Sequence, residues 1–180
     1  VTSNKTWYAR WVTTTRNYTV TWNGNGGTPS KSSSSFHYND ALGTLPTATR
    51  TGYTFKGWST SASGSVNVST TTKVTGNVTY YAVWQINSYT LTVTAGAGGT
   101  VSGSGTYNYG ATATLKATPS AGYHFVKWSD GNTNASRTVT VTGNATYTAT
   151  FEQDPYLNLD KTSLTFEAAG GTQTIKVTSN

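Results

Sequence analysis

Apolar and polar residues alternate along several short stretches of the chain, as in β-strands that bury one face. Residues 18–22 read Tyr-Thr-Val-Thr-Trp, and residues 89–94 read Tyr-Thr-Leu-Thr-Val-Thr. Successive side chains of a strand point to opposite faces, so each stretch places its large apolar groups on one face and threonines on the other. We predict a strand over each.

Two longer segments share an aromatic pattern, Gly-Tyr-Thr-Phe-Lys-Gly-Trp-Ser at 52–59 and Gly-Tyr-His-Phe-Val-Lys-Trp-Ser at 122–129. Tyr53 and Phe55 share one face of a strand, whereas Trp58 has the opposite parity. The three rings can face the same way only if a β-bulge lies near Lys56 and Gly57.

Glycine and asparagine clusters at 23–27 and 95–99 predict turns between strands, because these residues tolerate positive φ. Residues 40–46 (Asp-Ala-Leu-Gly-Thr-Leu-Pro) predict one short helical turn, with Asn39 or Asp40 as its N-cap. This is the one helix that we expect.

One eleven-residue pattern occurs three times in variant form, at 1–11, 74–84 and 141–151. The copies start 73 and 67 positions apart, and such near-regular repetition is typical of a modular array. In each copy the expected inward face carries aromatic, Ala, aromatic, as in Tyr80, Ala82 and Trp84. The outward face varies, so the repeated feature is a core.

The repeats predict four segments. Residues 1–12 are the last strand of a preceding repeat, residues 17–85 and 87–153 are two complete repeats, and residues 156–180 open a different domain. Since the sequence has no Met, even at position 1, we expect a piece of a larger polypeptide.

Composition narrows the function classes. Only 10% of residues are charged, and no two of the twelve Lys and Arg are adjacent, which disfavours nucleic-acid binding despite a net charge of +6. Absence of Cys excludes disulfides and thiol chemistry. No apolar run approaches the ~20 residues of a membrane span, so we expect no membrane insertion in this fragment.

No set of residues suggests catalysis, and we predict neither an enzyme nor a cofactor. The six acids form no pair typical of a glycosidase. His37 and His124 lie in different repeats without further ligands at metal-binding spacing. Residues 129–132 (Ser-Asp-Gly-Asn) faintly resemble part of a calcium loop, but a hairpin turn explains them better.

We expect ten aromatic residues to form structural core. They are Tyr53, Phe55, Trp58, Tyr80, Trp84, Tyr123, Phe125, Trp128, Tyr147 and Phe151. A sugar-stacking platform is the alternative for these rings. Four other residues are weak candidates for ligand binding, namely Trp22, His37, Tyr38 and Tyr109. Tyr38 and Tyr109 lie 71 positions apart, which favours core for both.

Residues 45–58, with Leu-Pro followed by Arg-Thr-Gly-Tyr-Thr-Phe-Lys-Gly-Trp, and residues 77–84 resemble the Listeria–Bacteroides repeat, the B repeat of internalin B. Residues 88–152 are similar to its divergent form. The resemblance implies β-grasp-like modules, an extracellular location and a place in a long bacterial surface protein. Residues 159–180 resemble the first strands of a BACON domain, an immunoglobulin-like sandwich.

The expected fold is therefore mainly β, with tandem small β-grasp-like modules, minimal helix and a partial sandwich segment at 156–180. We expect that segment to dock on the second repeat or on another chain. The expected function is a stalk or spacer that presents other parts of a probable adhesin. The alternative is a carbohydrate- or mucin-binding module that uses exposed aromatics. Expected partners are neighbouring repeats and host or dietary glycans or surface proteins.

Overall fold

The structure, a computed structural model, describes residues 4–9, 15–159, 174 and 176–179. Within these residues every regular element is a β-strand. The chain divides into two compact units, residues 1–87 and 88–180. The first unit contains β1 (Asn17–Asn23), β2 (Thr28–Pro29), β3 (Ser33–His37), β4 (Ala48–Thr49), β5 (Tyr53–Ser59) and β6 (Val78–Ile86).

The first unit is built on a four-stranded sheet in the order β3-β1-β6-β5. Its two central strands, β1 and β6, are parallel, and the outer strands pair with them antiparallel. Parallel neighbours need a crossover connection. Here the crossover, residues 24–77, contains β2 to β5 and no helix, and β2 and β4 form a separate antiparallel pair.

The second unit repeats this sheet. Its strands are β7 (Ser88–Ala95), β8 (Gly99–Ser102), β9 (Gly105–Asn108), β10 (Thr112–Pro119), β11 (Tyr123–Trp128), β12 (Ser136–Thr140) and β13 (Ala145–Gln153). The order β9-β7-β13-β11 has the same central parallel pair, β7 and β13. A second antiparallel sheet, β12-β10-β8, lies in the crossover. The expectation of mainly β modules is confirmed.

The helical turn predicted over residues 40–46 is wrong. Ala41 forms an antiparallel bridge with Lys73, and the backbone N–H groups of Leu42 and Gly43 donate to the carbonyls of Thr72 and Thr70. Gly43 has φ of +63°, which no right-handed helix accepts. Pairing with a distant segment buries Leu42, at 4% exposed, and outweighs the local preference of the sequence for a turn of helix.

A β-bulge interrupts β5, as expected from the positions of Phe55 and Trp58, whose rings could not otherwise face the same way. The register against β6 shifts between Phe55 and Gly57, and the fully buried Trp58 then faces the core. The same shift occurs in β11 between Phe125 and Lys127, and Trp128 is also fully buried. In the first unit the bulge uses Gly57 at φ +143°, where an added Cβ would lie 2.8 Å from Val66.

Each unit has its own apolar core beneath the central parallel pair. In the first, Val20 and Trp22 of β1 meet Tyr80 and Ala82 of β6 and Trp58 of β5. Burial raises the pKa of the Tyr80 phenol, as expected in an apolar interior. The corresponding residues of the second unit are Leu91, Val93, Trp128, Tyr147, Ala149 and Phe151.

The outer segments differ from the two repeats. Residues 4–9, where a strand is expected, are irregular, and Trp7 is 87% exposed. In the tail, β14 (Leu157–Leu159) pairs antiparallel with β15 (Val177–Ser179). Most of the segment that resembles a BACON domain lies outside the described residues, so its identity and its docking stay predictions.

Candidate functional site

Two of the described carboxylates lie beside histidines. Asp40 Oδ2 lies 3.3 Å from His37 Nδ1, and Asp154 Oδ1 lies 2.9 Å from His124 Nδ1. No group of three or more metal-binding side chains occurs in the part of the chain that the structure describes. Over the same residues, no helix has the length and apolarity required to cross a membrane.

Asp130 has a structural partner. Arg137 Nη1 donates to Asp130 Oδ1 at 3.0 Å, and Nη2 donates to Oδ2. This hydrogen-bonded guanidinium holds the pKa of Asp130 below its usual value. The backbone N–H of Gly131 donates to the carbonyl of Trp128 at 2.8 Å, so residues 128–131 form a turn. Arg137 also lies 5.1 Å over the ring of Tyr147.

Nine of the ten aromatic residues expected in the core are buried in, or packed against, the two apolar clusters. The Trp58 indole donates from Nε1 to the carbonyl of Pro46 at 2.8 Å, and the Trp128 indole donates to Asn134 at 2.9 Å. Phe55 lies edge-on to Trp58 and Trp84. The tenth residue, Tyr53, lies outside the cluster, beside a surface groove.

The four ligand candidates separate into two kinds. Trp22 is a wrong candidate, because it is 3% exposed and lies 4.8 Å from the ring of Trp58. Tyr38 is 62% exposed and lies 6.2 Å from Tyr18. Tyr109 is half-buried and makes the equivalent contact, 6.4 Å from Tyr89.

The remaining candidate, His37, is exposed and belongs to the turn closed by Asp40. Its backbone N–H donates to Asp40 Oδ2 at 2.8 Å. Within the first unit, Trp22 is buried in the core whereas the neighbouring His37 and Tyr38 are exposed, so these three candidates do not form one site.

The groove beside Tyr53 has a volume of about 600 Å³. It is lined by Gly26, Gly27, Thr28, Thr49, Arg50, Thr51 and Tyr53. The Arg50 guanidinium lies 3.8 Å above the ring of Tyr53, and Nη1 donates to the carbonyl of Asn25 at 3.3 Å. Sequence reasoning missed Arg50. The available signal was a lone arginine in a repeat whose one carboxylate is Asp40.

A second feature that sequence reasoning missed is an asparagine beside each parallel strand pair. Asn77 Oδ1 accepts the backbone N–H of Thr19 at 2.8 Å, next to the β1–β6 ladder. Asn144 Oδ1 accepts the N–H of Thr90 at 2.8 Å, next to β7 and β13. The signal was the recurrence of Val-Thr-Gly-Asn at 74–77 and 141–144.

Comparison with known families agrees with this geometry. Residues 18–83 match the Listeria-Bacteroides repeat domain, and residues 89–155 match the divergent InlB B-repeat domain. The chain carries one repeat from each of these two families. The resemblance noted in the aromatic segments is thereby confirmed. No curated protein and no solved structure matches the chain.

Listeria–Bacteroides repeats occur in bacterial surface proteins, and repeats of this kind are generally non-catalytic. The divergent repeat keeps the turn before the aromatic strand. The N–H of Tyr53 donates to the carbonyl of Arg50, and the N–H of Tyr123 donates to the carbonyl of Ser120, both at 3.1 Å. Ser120 thus occupies in the divergent repeat the position of Arg50.

Proposed function

We propose that the chain is a non-catalytic spacer of a bacterial surface protein, built to carry tension while it presents other parts of an adhesin. One observation supports this above others. In each repeat the first and last strands, β1 and β6 or β7 and β13, are adjacent and parallel.

Tension along the polypeptide enters a repeat at the amino end of its first strand and leaves at the carboxyl end of its last. For adjacent parallel strands these ends point in opposite directions, so tension slides one strand along the other. The bonds of the ladder are then loaded together and must break together. An antiparallel pair pulled from one end opens one bond at a time.

The surrounding structure strengthens the parallel pairs. The parallel ladder between β1 and β6 contains four residue pairs, and the ladder between β7 and β13 contains five. Asn77 and Asn144 each add a side-chain bond beside the ladder. Along the sequence, Asn87 alone separates the last strand of the first repeat from the first strand of the second, so little slack lies between them.

Single-molecule pulling tests the proposal. We expect residues 1–180, held at the two termini, to unfold in one abrupt event for each repeat. Each event releases on the order of 200 Å, because about 70 residues extend at ~3.3–3.6 Å each. Unfolding under force is governed by the unfolding rate, so the measured quantity is the force at a fixed loading rate.

The matched control changes the pulling direction and leaves the repeat unchanged. Tyr53 of β5 lies opposite Ile86 of β6, so handles attached at Thr51 and Asn87 open this antiparallel pair from one end. We expect a clearly lower force in that direction. Equal forces in the two directions would contradict a role in bearing tension.

A further inference from the structure

Arg50 is a guanidinium without a carboxylate partner among the described residues. Residues 17–86 carry four cationic side chains and one carboxylate, Asp40, which lies beside His37. The hydrogen bond from Nη1 to Asn25 is the one that the guanidinium forms with the described residues. Most of its five N–H donors are therefore free to bind an anion.

The guanidinium is held in place before any ligand arrives. One face stacks on Tyr53 at 3.8 Å. At Gly26, which has φ of +88°, an added Cβ would lie 3.1 Å from Nη1. A side chain at this position would crowd the guanidinium in its present place. A fixed guanidinium loses little conformational entropy when it binds, which favours affinity.

The lining of the groove indicates the class of ligand. Three hydroxyl-bearing residues, Thr28, Thr49 and Thr51, line the groove together with Arg50 and the aromatic Tyr53. Hydroxyls suit the hydroxyl groups of a sugar, and a guanidinium binds a carboxylate or a sulfate through two parallel N–H bonds. A volume of about 600 Å³ lies within the range of small-molecule sites. We propose that the groove binds an acidic sugar residue of a glycan through Arg50.

The divergent repeat provides an internal comparison, because it has the same turn without the site. Ser120 replaces Arg50, and the ring of Tyr123 lies directly on Gly98, where an added Cβ would be 2.2 Å from Cδ1. The ring thus occupies the position that the guanidinium takes in the first repeat. One site per chain is expected.

Binding is measured by titrating residues 1–180 with oligosaccharides in low salt. The probes are an oligogalacturonate and sialyllactose, which carry carboxylates, a sulfated oligosaccharide, and neutral lactose. We expect saturable binding of one acidic probe per chain and none of lactose. Comparing the carboxylate probes with the sulfated probe shows which acidic group the groove binds.

Arg50→Gln removes the charge and the paired donors, and we expect at least about a tenfold loss of affinity. Arg50→Lys keeps the charge but lacks the planar pair of N–H donors. We expect its affinity to lie between those of the unmodified chain and the Arg50→Gln variant. The control is Lys73→Gln, an equal loss of charge at an exposed lysine outside the groove, with affinity kept within about twofold.

The unmodified chain gives a test that does not depend on a variant folding. In NMR titrations we expect shifts at Thr49, Arg50 and Tyr53 and none at Ser120 or Tyr123. The proposal is overturned if no acidic probe binds at millimolar concentration. It is also overturned if the Gln variant binds as tightly as the unmodified chain, or if shifts spread evenly over the surface lysines.

Discussion

At the scale of single residues, each repeat is organised around one tryptophan, Trp58 or Trp128. Both are fully buried and both donate an indole hydrogen bond to a backbone carbonyl. Burying so large a ring contributes several kcal/mol to a module of this size, because small modules bury only a modest fraction of their surface. The ring therefore needs a partner for its one polar atom, and the loop carbonyl supplies it.

The pairing of Asp130 with Arg137 predicts a pH dependence. The folded pKa of Asp130 lies below its usual value of 3.8, so the pair adds stability above that pH. The contribution is lost as the pH falls through the lowered pKa. We expect Asp130→Asn to flatten the decline in the free energy of unfolding of the second repeat between pH 5 and pH 2, measured by urea denaturation.

Glu152→Gln is the control for this substitution. Glu152 is an exposed residue on β13 whose carboxylate forms no hydrogen bond or ion pair with the described residues. Its replacement should leave the decline unchanged. A decline of the same steepness in the Asp130→Asn protein would show that the ion pair does not set the acid sensitivity.

At the scale of elements, the central parallel pair of strands decides the behaviour of each repeat. Parallel ladders form between segments that are far apart in sequence, here Val20 with Val78 and Leu91 with Ala145. They become stable only when the crossover is also in place. The side chains of Asn77 and Asn144 extend these ladders by one bond each.

Replacing Asn77 tests that extension. Asn77→Ala leaves the N–H of Thr19 without its acceptor, and we expect a loss of about 0.5–1.5 kcal/mol in the free energy of unfolding. The loss is modest because Thr19 is exposed and water can replace the acceptor. Asn77→Asp keeps an acceptor and should lose less. Equal losses in the two variants, measured by urea denaturation, would exclude the bond as their cause.

At the scale of the whole molecule, the chain consists of two compact units, each with its own core. In arrays of this kind each unit contributes its own stability. The apolar clusters of residues 1–87 and of residues 88–180 are each formed within one unit. Damage to one core is therefore expected to stay within its unit.

Trp58→Ala is the test of that independence. Removing a fully buried indole should cost about 3–5 kcal/mol in the first unit. Hydrogen exchange should then show faster exchange of backbone amides in residues 17–86 and unchanged protection in 88–153. Trp7→Ala, at a residue that is 87% exposed, should change neither. Loss of protection in both units after Trp58→Ala would mean that they unfold together.

The sequence was sufficient for features that depend on local periodicity. Alternation identified the strands around Val20, Leu91 and Ala82, and the mismatched parity of Phe55 and Trp58 required the bulge that the structure has. Repetition of the same pattern revealed two modules of one type. These inferences succeed because a strand has a fixed period of two, so alternate residues in the sequence identify its buried face.

Only the tertiary structure decided features that depend on distant segments. Asp40 to Pro46 has the local signals of a helical turn, yet Ala41 pairs with Lys73. Trp22 shares a face with Val20, but its near-complete burial depends on Trp58 and Tyr80, which come from distant strands. The hydrogen bond from Arg50 to the carbonyl of Asn25 and the bond from Thr19 to Asn77 likewise join distant segments, which no local period encodes.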